Sequence, residues 1–249
     1  MKTSHDEAES SANGIYGVEA IPGAGLEPGA NHYRAFVGPP EDYDLIAAMT
    51  FGLLTTLGLR QHHRILDIGC GSLRIGRILI PYLNPTRYTG IEPNLWLIKE
   101  GIERECGRDQ IAIKKPHLII AAGPAALSSQ ARFDYALAQS IFSHADLDTI
   151  RKWLHALSRH LEDDGAFVFT FIDAERDNTA SGWTYPECVS YRRDTFELLS
   201  KEAGFRFHIL DWHHPRQTWA LCAQEAYPTS WIEQSSLSWN TGFEAGRWR

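Results

Sequence analysis

Short runs of apolar residues alternate along this chain with longer segments in which apolar residues recur every three or four positions. Short apolar runs are typical of strands buried on both faces, and the longer segments are typical of helices that pack one side against a sheet. The runs that predict strands are 65–68, 87–92, 117–122, 133–140, 165–172, 206–212 and 217–222. This alternation predicts an α/β domain.

Helical periodicity is clearest in three places. Before the first strand, an apolar stripe ends at Gly58, where a glycine just past a helix is expected. After the fourth strand, Asp146 is predicted to cap a helix that reaches Leu161. After the fifth, a capping-box pattern at residues 194–197 predicts another helix start. The first stripe consists of Leu45, Ile46, Met49, Leu53, Leu54 and Leu57.

The last two predicted strands are separated only by residues 213–216. A parallel crossover needs a dozen or more residues, so these two strands are expected to be antiparallel. The whole pattern therefore predicts a seven-stranded, mostly parallel sheet with helices on both faces and an antiparallel last strand.

Composition restricts the possible partners. The chain has 249 residues, a hydrophobic content of 43% and a formal net charge of −7, with no basic run to offset that charge. A general affinity for nucleic acid or for an anionic membrane is therefore not expected. The four cysteines are far apart, and the N-terminus lacks the apolar core of a signal peptide, so we expect a cytoplasmic protein without a disulfide framework.

The first strand ends in an acid and two glycines, Asp67, Gly69 and Gly71. Glycines at such a turn let a ligand lie against bare backbone, and a helix is predicted to start directly behind them. The dinucleotide fingerprint requires a third glycine three residues after the second, whereas here the next glycine is Gly76. An acid at position 67 also suits a ligand that carries an ammonium group and a sulfonium better than it suits a pyrophosphate. A nicotinamide-dependent oxidoreductase is thus a weaker alternative.

The run Leu66-Asp67-Ile68-Gly69-Cys70-Gly71-Ser72-Leu73-Arg74 resembles the first motif of the class I (Rossmann-like) S-adenosylmethionine-dependent methyltransferases, closest to bacterial enzymes that act on small molecules. The resemblance covers about residues 31–225 and implies a Rossmann-like fold, S-adenosylmethionine as cofactor and a small-molecule methyl acceptor. It divides the chain into a flexible leader (1–30), a methyltransferase domain (31–226) and a Trp-rich tail (227–249). The tail is expected to dock on this domain or on a second subunit, so a homodimer stays open.

The same resemblance assigns residues to the cofactor. Glu92 ends the second strand and is expected to accept hydrogen bonds from the ribose hydroxyls. Arg74 is expected either to pair with the methionine carboxylate or to cover the sheet. Asn94 is also predicted to cap the helix that follows. The full set predicted to bind the cofactor is Asp67, Gly69, Cys70, Gly71, Arg74, Glu92, Pro93, Asn94 and Gln139.

The histidines, Asp173 and Trp183 are predicted from their position near the carboxyl ends of the strands. Arg34 and Tyr43 are lid candidates, because in the methyltransferases that this sequence resembles such a leading segment folds over the cofactor and substrate. Histidine is the commonest base for deprotonating a hydroxyl acceptor, and three histidines lie near this edge. One of His213 and His214 is expected to face the site. The predicted catalytic residues are His144, His213 and His214, and the predicted substrate residues are Arg34, Tyr43, Asp173 and Trp183.

Several reaction types are disfavoured by the sequence. The segment 139–142 lacks the N/D-P-P-Y/F run of enzymes that methylate amino groups of bases, and no Pro-Cys pair indicates a cytosine-C5 enzyme. No metal is predicted, because Asp173 has no second acid with which to share an ion. The prediction is therefore O-methylation of a small molecule in a biosynthetic pathway, with a non-catalytic Rossmann-like binding subunit as the alternative.

Overall fold

The predicted strands form one seven-stranded sheet in the spatial order β3-β2-β1-β4-β5-β7-β6. This arrangement is seen in a computed structural model that describes residues 21–235. Strand β7 is antiparallel to both of its neighbours, and the other pairings are parallel, which confirms the predicted fold class. The strands are β1 Ile65–Ile68, β2 Tyr88–Ile91, β3 His117–Ile119, β4 Phe133–Ala138, β5 Leu161–Phe171, β6 Arg206–Leu210 and β7 Thr218–Ala223.

Helices cover both faces of the sheet. One face packs an aromatic core against the helices after β4 and β5, and the other packs aliphatic side chains against the helices that flank β1. Along β5, Phe167 and Phe169 point to the first core, whereas Ala166 and Val168 point to the second, as the two-residue period of a strand requires. The helices are α1 Tyr43–Thr56, α2 Gly76–Tyr82, α3 Leu95–Gly101, α4 Arg108–Lys114, α5 Leu147–His160, α6 Arg193–Glu202 and α7 Ser230–Ser235.

The best-defined helix ends match the expectations. Gly58 lies just past α1 with a φ of +105°, and the side chain of Asp146 caps α5 by accepting a 2.8 Å hydrogen bond from the backbone N–H of Thr149. The capping box predicted at residues 194–197 was wrong: α6 begins at Arg193, and its N-cap makes no side-chain hydrogen bond. The carboxylate of Asp194 instead pairs with Arg192.

The segment after the glycine turn also differs from the prediction. Residues 71–75 form turns, and α2 begins only at Gly76, so Arg74 precedes the helix. Leu73 adopts a φ of +59° while its side chain is fully buried. Close packing of α3 accompanies this geometry, since a Cβ on Gly101 would lie 2.3 Å from the carbonyl oxygen of Ser72.

Other differences concern the caps and the chain ends. The side chain of Asn94 does not cap α3, and Leu45, predicted on the buried stripe of α1, is 48% exposed. Residues 21–30, predicted as part of the leader, form turns, and the Gly29 N–H donates to the Ala35 carbonyl. In the predicted tail, Trp231 packs against the aliphatic core, whereas residues 236–249 lie outside the described part of the chain.

Arg34 and Tyr43 were predicted to contact substrate, but both are buried in contacts that hold residues 33–43 against the domain. The Arg34 guanidinium lies 4.5 Å above the Tyr43 ring centre and bonds to Glu105 through Nε at 2.9 Å and Nη2 at 2.7 Å. The Tyr43 hydroxyl bonds to Ser72 beside the glycine turn. These two side chains therefore anchor the segment that covers the ends of the strands.

Replacing Arg34 with Met is expected to lower the free energy of unfolding by about 3 kcal/mol, because the 4%-exposed side chain of Glu105 would lose its closest cation. Arg77, 3.6 Å from the other Glu105 oxygen, compensates only in part. The double variant Arg34→Met/Glu105→Gln removes the uncompensated charge and is expected to recover about 1 kcal/mol. Urea unfolding of both variants measures this, and equal losses in the two would contradict a buried ion pair.

Candidate active site

A cavity of about 840 Å³ lies at the carboxyl ends of β1, β2 and β4. Its floor is the glycine turn and the end of β2, and its roof is the segment 36–39. The remaining walls are the loop 183–188 and the β6–β7 loop at residues 216–217. Open parallel sheets place their ligands at this edge, so the cavity is the candidate site.

The glycine turn has the backbone conformation that the sequence predicted. Gly69 and Gly71 have φ values of +67° and +53°, which side chains with a Cβ rarely adopt. Both are also crowded from above: a Cβ on Gly69 would meet the Ile141 side chain at 2.1 Å, and one on Gly71 would meet Val37 at 2.7 Å. The two glycines therefore let other groups approach the backbone closely at this end of the cavity.

Glu92 is a fixed hydrogen-bond acceptor in the cavity wall. Its Oε2 accepts from the Gly71 N–H at 3.1 Å, and its Oε1 accepts from the backbone N–H and side-chain amide of Asn94 at 2.9 and 2.7 Å. Burial raises the pKa of this carboxyl group, and the N–H donors of Asn94 and Gly71 oppose that rise. The side chain is thus held in place, as binding of a pair of hydroxyl groups would require.

Arg74 places a cation at the same cavity. Its Nη1 donates to the Val37 carbonyl at 3.0 Å and its Nη2 donates to Gln139 Oε1. The residue is 8% exposed, and burial lowers its pKa to about 10, so it stays charged at neutral pH. Within residues 21–235 it forms no ion pair with a carboxylate, which leaves it suited to an anionic ligand.

Asp67 and Cys70, both predicted to bind the cofactor, are turned away from the cavity. Asp67 lies opposite Gly90 in the sheet, and its Oδ2 accepts a 2.6 Å hydrogen bond from the Tyr88 hydroxyl. Burial raises the pKa of Asp67 to about 7. The other predicted cofactor residues line the cavity: Gly69, Gly71, Arg74, Glu92, Pro93, Asn94 and Gln139.

His144 lies in the cavity wall with one ring nitrogen engaged. Its Nδ1 is 2.7 Å from the Glu187 carbonyl, which can only accept, so Nδ1 carries the proton and Nε2 is the basic nitrogen of the neutral ring. The rings of Tyr185 and Trp183 lie 5.0 and 5.6 Å from the imidazole centre. Burial lowers the pKa of His144, which favours the neutral form.

The other predicted catalytic and substrate residues differ in whether they contact the cavity. The Nε2 atoms of His214 and Gln139 lie 3.2 Å apart. Burial, together with the charges of Arg74 and Arg216, lowers the pKa of His214 to about 3. His213 is exposed and does not line the cavity. Asp173 pairs with a surface arginine instead of facing the cavity, whereas Trp183 lines it.

Several cavity residues had no predicted role in binding. In the sequence, Ser140 and Ile141 only show that another family's motif is absent. Gln217 is only predicted to begin a strand. Two sequence features could have indicated these cavity residues: the Pro-Pro pair after Gly38 and the aromatic loop 183–188. Both indicate rigid segments at the sheet edge. The cavity residues without a predicted role include Phe36, Val37, Ser140, Ile141, Thr149, Trp153, Arg216 and Gln217.

Comparison with known proteins agrees with this geometry. Residues 66–167 match the model of a methyltransferase domain family. These residues are similar to methyltransferase domains. Its first motif, the end of β2 and β4 all fall within the matched residues. No curated protein sequence matches the chain.

Solved structures with the same fold include several methyltransferases. A magnesium protoporphyrin IX methyltransferase from Synechocystis with bound S-adenosylmethionine has a TM-score of 0.56 at 12% identity, over 75% of this chain and 81% of that one. A Burkholderia thailandensis 1,6-didemethyltoxoflavin-N1-methyltransferase has a TM-score of 0.55 at 18% identity, over 74% and 80%. A methyltransferase from Leishmania major has a TM-score of 0.59 at 16% identity, over 76% of each chain.

Residues 21–235 contain neither a metal-binding cluster nor a membrane-spanning helix. No group of three or more His, Cys, Asp or Glu side chains is arranged there to hold a metal ion. None of the helices in this part of the methyltransferase has the length and apolar composition that crossing a membrane requires.

Replacing Tyr88 with Phe tests the buried acid of the first motif. The Tyr88 hydroxyl stabilises the charged form of Asp67, so its loss should destabilise the fold more above the Asp67 pKa of about 7 than below it. We expect a loss of about 2 kcal/mol at about pH 8.5 and a smaller loss at about pH 5.5. Urea unfolding at both pH values measures the difference, and a loss independent of pH would contradict the assignment.

Proposed function

We propose that this methyltransferase domain transfers the methyl group of S-adenosylmethionine to a hydroxyl oxygen of a small molecule, as a cytoplasmic step of biosynthesis. The observation that carries the proposal is His144, a buried neutral imidazole in the cavity wall whose Nδ1 is already committed to the Glu187 carbonyl. A hydroxyl acceptor must lose its proton as it is methylated, and Nε2 of such a ring can accept it.

The residues around the cavity fit the cofactor at three points. Glu92 is fixed where it can accept both ribose hydroxyls, Arg74 offers an unpaired cation to the methionine carboxylate, and Gly69 and Gly71 line the cavity beside them. When bound, S-adenosylmethionine supplies a methyl group made electrophilic by a positively charged sulfur. The residues Glu92, Arg74 and Gln139 orient the ligand, and the roof at residues 36–39 excludes water.

The role of His144 is to hold and move one proton. In the neutral ring Nε2 accepts the acceptor hydroxyl proton while the new carbon–oxygen bond forms and the carbon–sulfur bond breaks. The Glu187 carbonyl keeps the ring in the required tautomer and stabilises the imidazolium that results. The proton is then released to solvent before the next turnover.

Calorimetric titration with S-adenosylmethionine and with S-adenosylhomocysteine tests the cofactor site. We expect binding in the micromolar range, lost in Gly69→Arg because the new side chain cannot fit beside Ile141. Glu92→Ala should bind about tenfold more weakly, since the ribose hydroxyls would lose their charged acceptor. The matched control is Glu103→Ala, an exposed carboxylate whose loss should leave affinity unchanged. Binding of NADH in place of S-adenosylmethionine would overturn the assignment.

The pH dependence of methyl transfer tests His144. Because burial lowers the pKa of His144, the neutral base should persist to a pH below the ordinary histidine value, and the acidic limb of kcat/KM should lie below that value. His144→Gln should lower kcat by about a hundredfold or more and abolish this acidic limb. His155, which is half-buried and does not line the cavity, provides a matched control, His155→Gln, which should retain the wild-type profile. An unchanged profile in His144→Gln would exclude His144 as the base.

A further inference from the structure

Two aromatic rings lie next to the proposed base in one wall of the cavity. Trp183 and Tyr185 are nearly parallel, with an interplanar angle of 28° and ring centres 6.5 Å apart. The His144 imidazole lies 5.0 Å from the Tyr185 ring and 5.6 Å from the Trp183 ring. All three side chains line the cavity, so a ligand in contact with both aromatic rings lies beside His144.

The surface of Trp183 can be reached by a ligand. The residue lines the cavity and is 55% exposed. Leaving a large apolar ring in water is unfavourable, so a ligand that covers the indole gains from removing that apolar surface from water. A flat ring covers an indole face more completely than a chair-shaped ring does, because all of its atoms approach the face at a similar distance.

Tyr185 is held in place by the roof of the cavity. Its hydroxyl donates to the Phe36 carbonyl, and the Phe36 ring lies 5.1 Å from the Tyr185 ring. Burial raises the pKa of the Tyr185 hydroxyl to about 12, so the group stays protonated and keeps donating at neutral pH. Because this hydrogen is already used, the main contribution of Tyr185 to a ligand is the surface of its ring.

The charged groups of the cavity wall do not suit a polyhydroxy acceptor. Among the lining residues of the described chain, Glu92 is the one carboxylate, and the proposed function gives it to the cofactor ribose. Arg216, the cation contributed by the β6–β7 loop, is paired with Asp42 at 2.6 Å. Within this described lining, a sugar or another polyol thus has no free carboxylate beside His144 to which its several hydroxyl groups could donate.

The base favours an acidic hydroxyl. Histidine has an ordinary pKa of about 6.5, and burial lowers the pKa of His144. A hydroxyl on an aromatic ring has a pKa of about 10, like the tyrosine side chain, whereas the pKa of an aliphatic alcohol is close to that of water, about 15.7. A weak base takes a proton from the aromatic hydroxyl far more readily than from the alcohol. The aromatic wall and the base therefore favour the same kind of acceptor.

We propose that the acceptor is a phenol, a hydroxyl group on a flat aromatic ring, and that Trp183 and Tyr185 form the surface on which that ring binds. The phenolic oxygen gives its proton to Nε2 of His144 and bonds to the methyl carbon, while the electron pair of the broken carbon–sulfur bond stays on sulfur. This inference rests on the proposed function for its base and its methyl donor. It makes Trp183 and Tyr185 specificity residues.

Three probes separate the flat ring from the acidic hydroxyl, using the full-length protein: 2-naphthol, 2-naphthalenemethanol and decahydro-2-naphthol. The first is flat and acidic, the second is flat but an aliphatic alcohol, and the third is neither flat nor acidic. In calorimetric titrations with S-adenosylhomocysteine present, both flat probes should bind about tenfold more tightly than decahydro-2-naphthol. In methylation assays, kcat for 2-naphthol should exceed kcat for 2-naphthalenemethanol by about a hundredfold or more.

Substitutions of Trp183 test the binding surface. Trp183→Ala should weaken binding of 2-naphthol about tenfold and leave the affinity for S-adenosylhomocysteine within about twofold, because the indole contacts the acceptor. Trp183→Phe keeps a flat ring and should restore most of the affinity. The matched control is Leu198→Ala: Leu198 is 58% exposed and does not line the cavity, so this variant should bind 2-naphthol as the wild type does. Both positions are exposed, so these variants are expected to fold.

The results distinguish this inference from the proposed function. Methylation of decahydro-2-naphthol as efficient as that of 2-naphthol, unaffected by Trp183→Ala, would overturn the phenol and leave O-methylation standing, as would equal kcat values for the two flat probes. Binding of 2-naphthol that depends on Trp183, without methylation of any probe, would support the aromatic surface and count against O-methylation. Failure of 2-naphthol to bind to protein that does bind S-adenosylhomocysteine would overturn the phenol.

Discussion

The buried guanidinium of Arg74 joins three parts of the molecule that are distant in sequence. It lies before α2, donates to the Val37 carbonyl in the roof and to Gln139 at the end of β4, and stands 5.9 Å from the Tyr43 ring. A cation taken out of water is costly unless its donors are satisfied, and two neutral oxygens satisfy it only in part. The same guanidinium therefore holds the roof at Val37 and leaves a positive charge at the cavity.

Charges elsewhere serve to position this cation. Arg34 and Arg77 share Glu105 and Asp44, and that network fixes the leading segment and Tyr43 beneath it. Asp67, the nearest acid in sequence, forms no ion pair with Arg74 within residues 21–235, and its carboxyl group accepts from Tyr88 on the neighbouring strand. Separating structural ion pairs from the cavity leaves Arg74 and Glu92 available at opposite sides of the site.

The sequence was sufficient for the sheet, the glycine turn and Glu92, because each depends on local periodicity or on backbone conformation. Predictions from the sequence were wrong where a side chain has several potential partners that only folding brings together. In the folded chain, Arg34 pairs with Glu105 and Asp173 pairs with Arg193. Asp194 pairs with Arg192 instead of capping a helix. The direction of Asp67 could not be read from the motif either, since it depends on Tyr88, which lies across the strand pair β1–β2.

The end of β4 connects two parts of the cavity wall through adjacent residues. Gln139 directs its carbonyl oxygen toward Arg74 on the cofactor side, whereas Ser140, displaced by its positive φ, receives Gln217 from the β6–β7 loop. Methyl transfer requires the two reacting atoms within about 3–3.5 Å, so the groups that hold each ligand must be rigidly related. Adjacent residues joined by a hydrogen bond between their side chains meet that requirement more directly than residues on separate loops would. The strained backbone of Ser140 thus lets adjacent residues contact Arg74 and the β6–β7 loop at the same cavity.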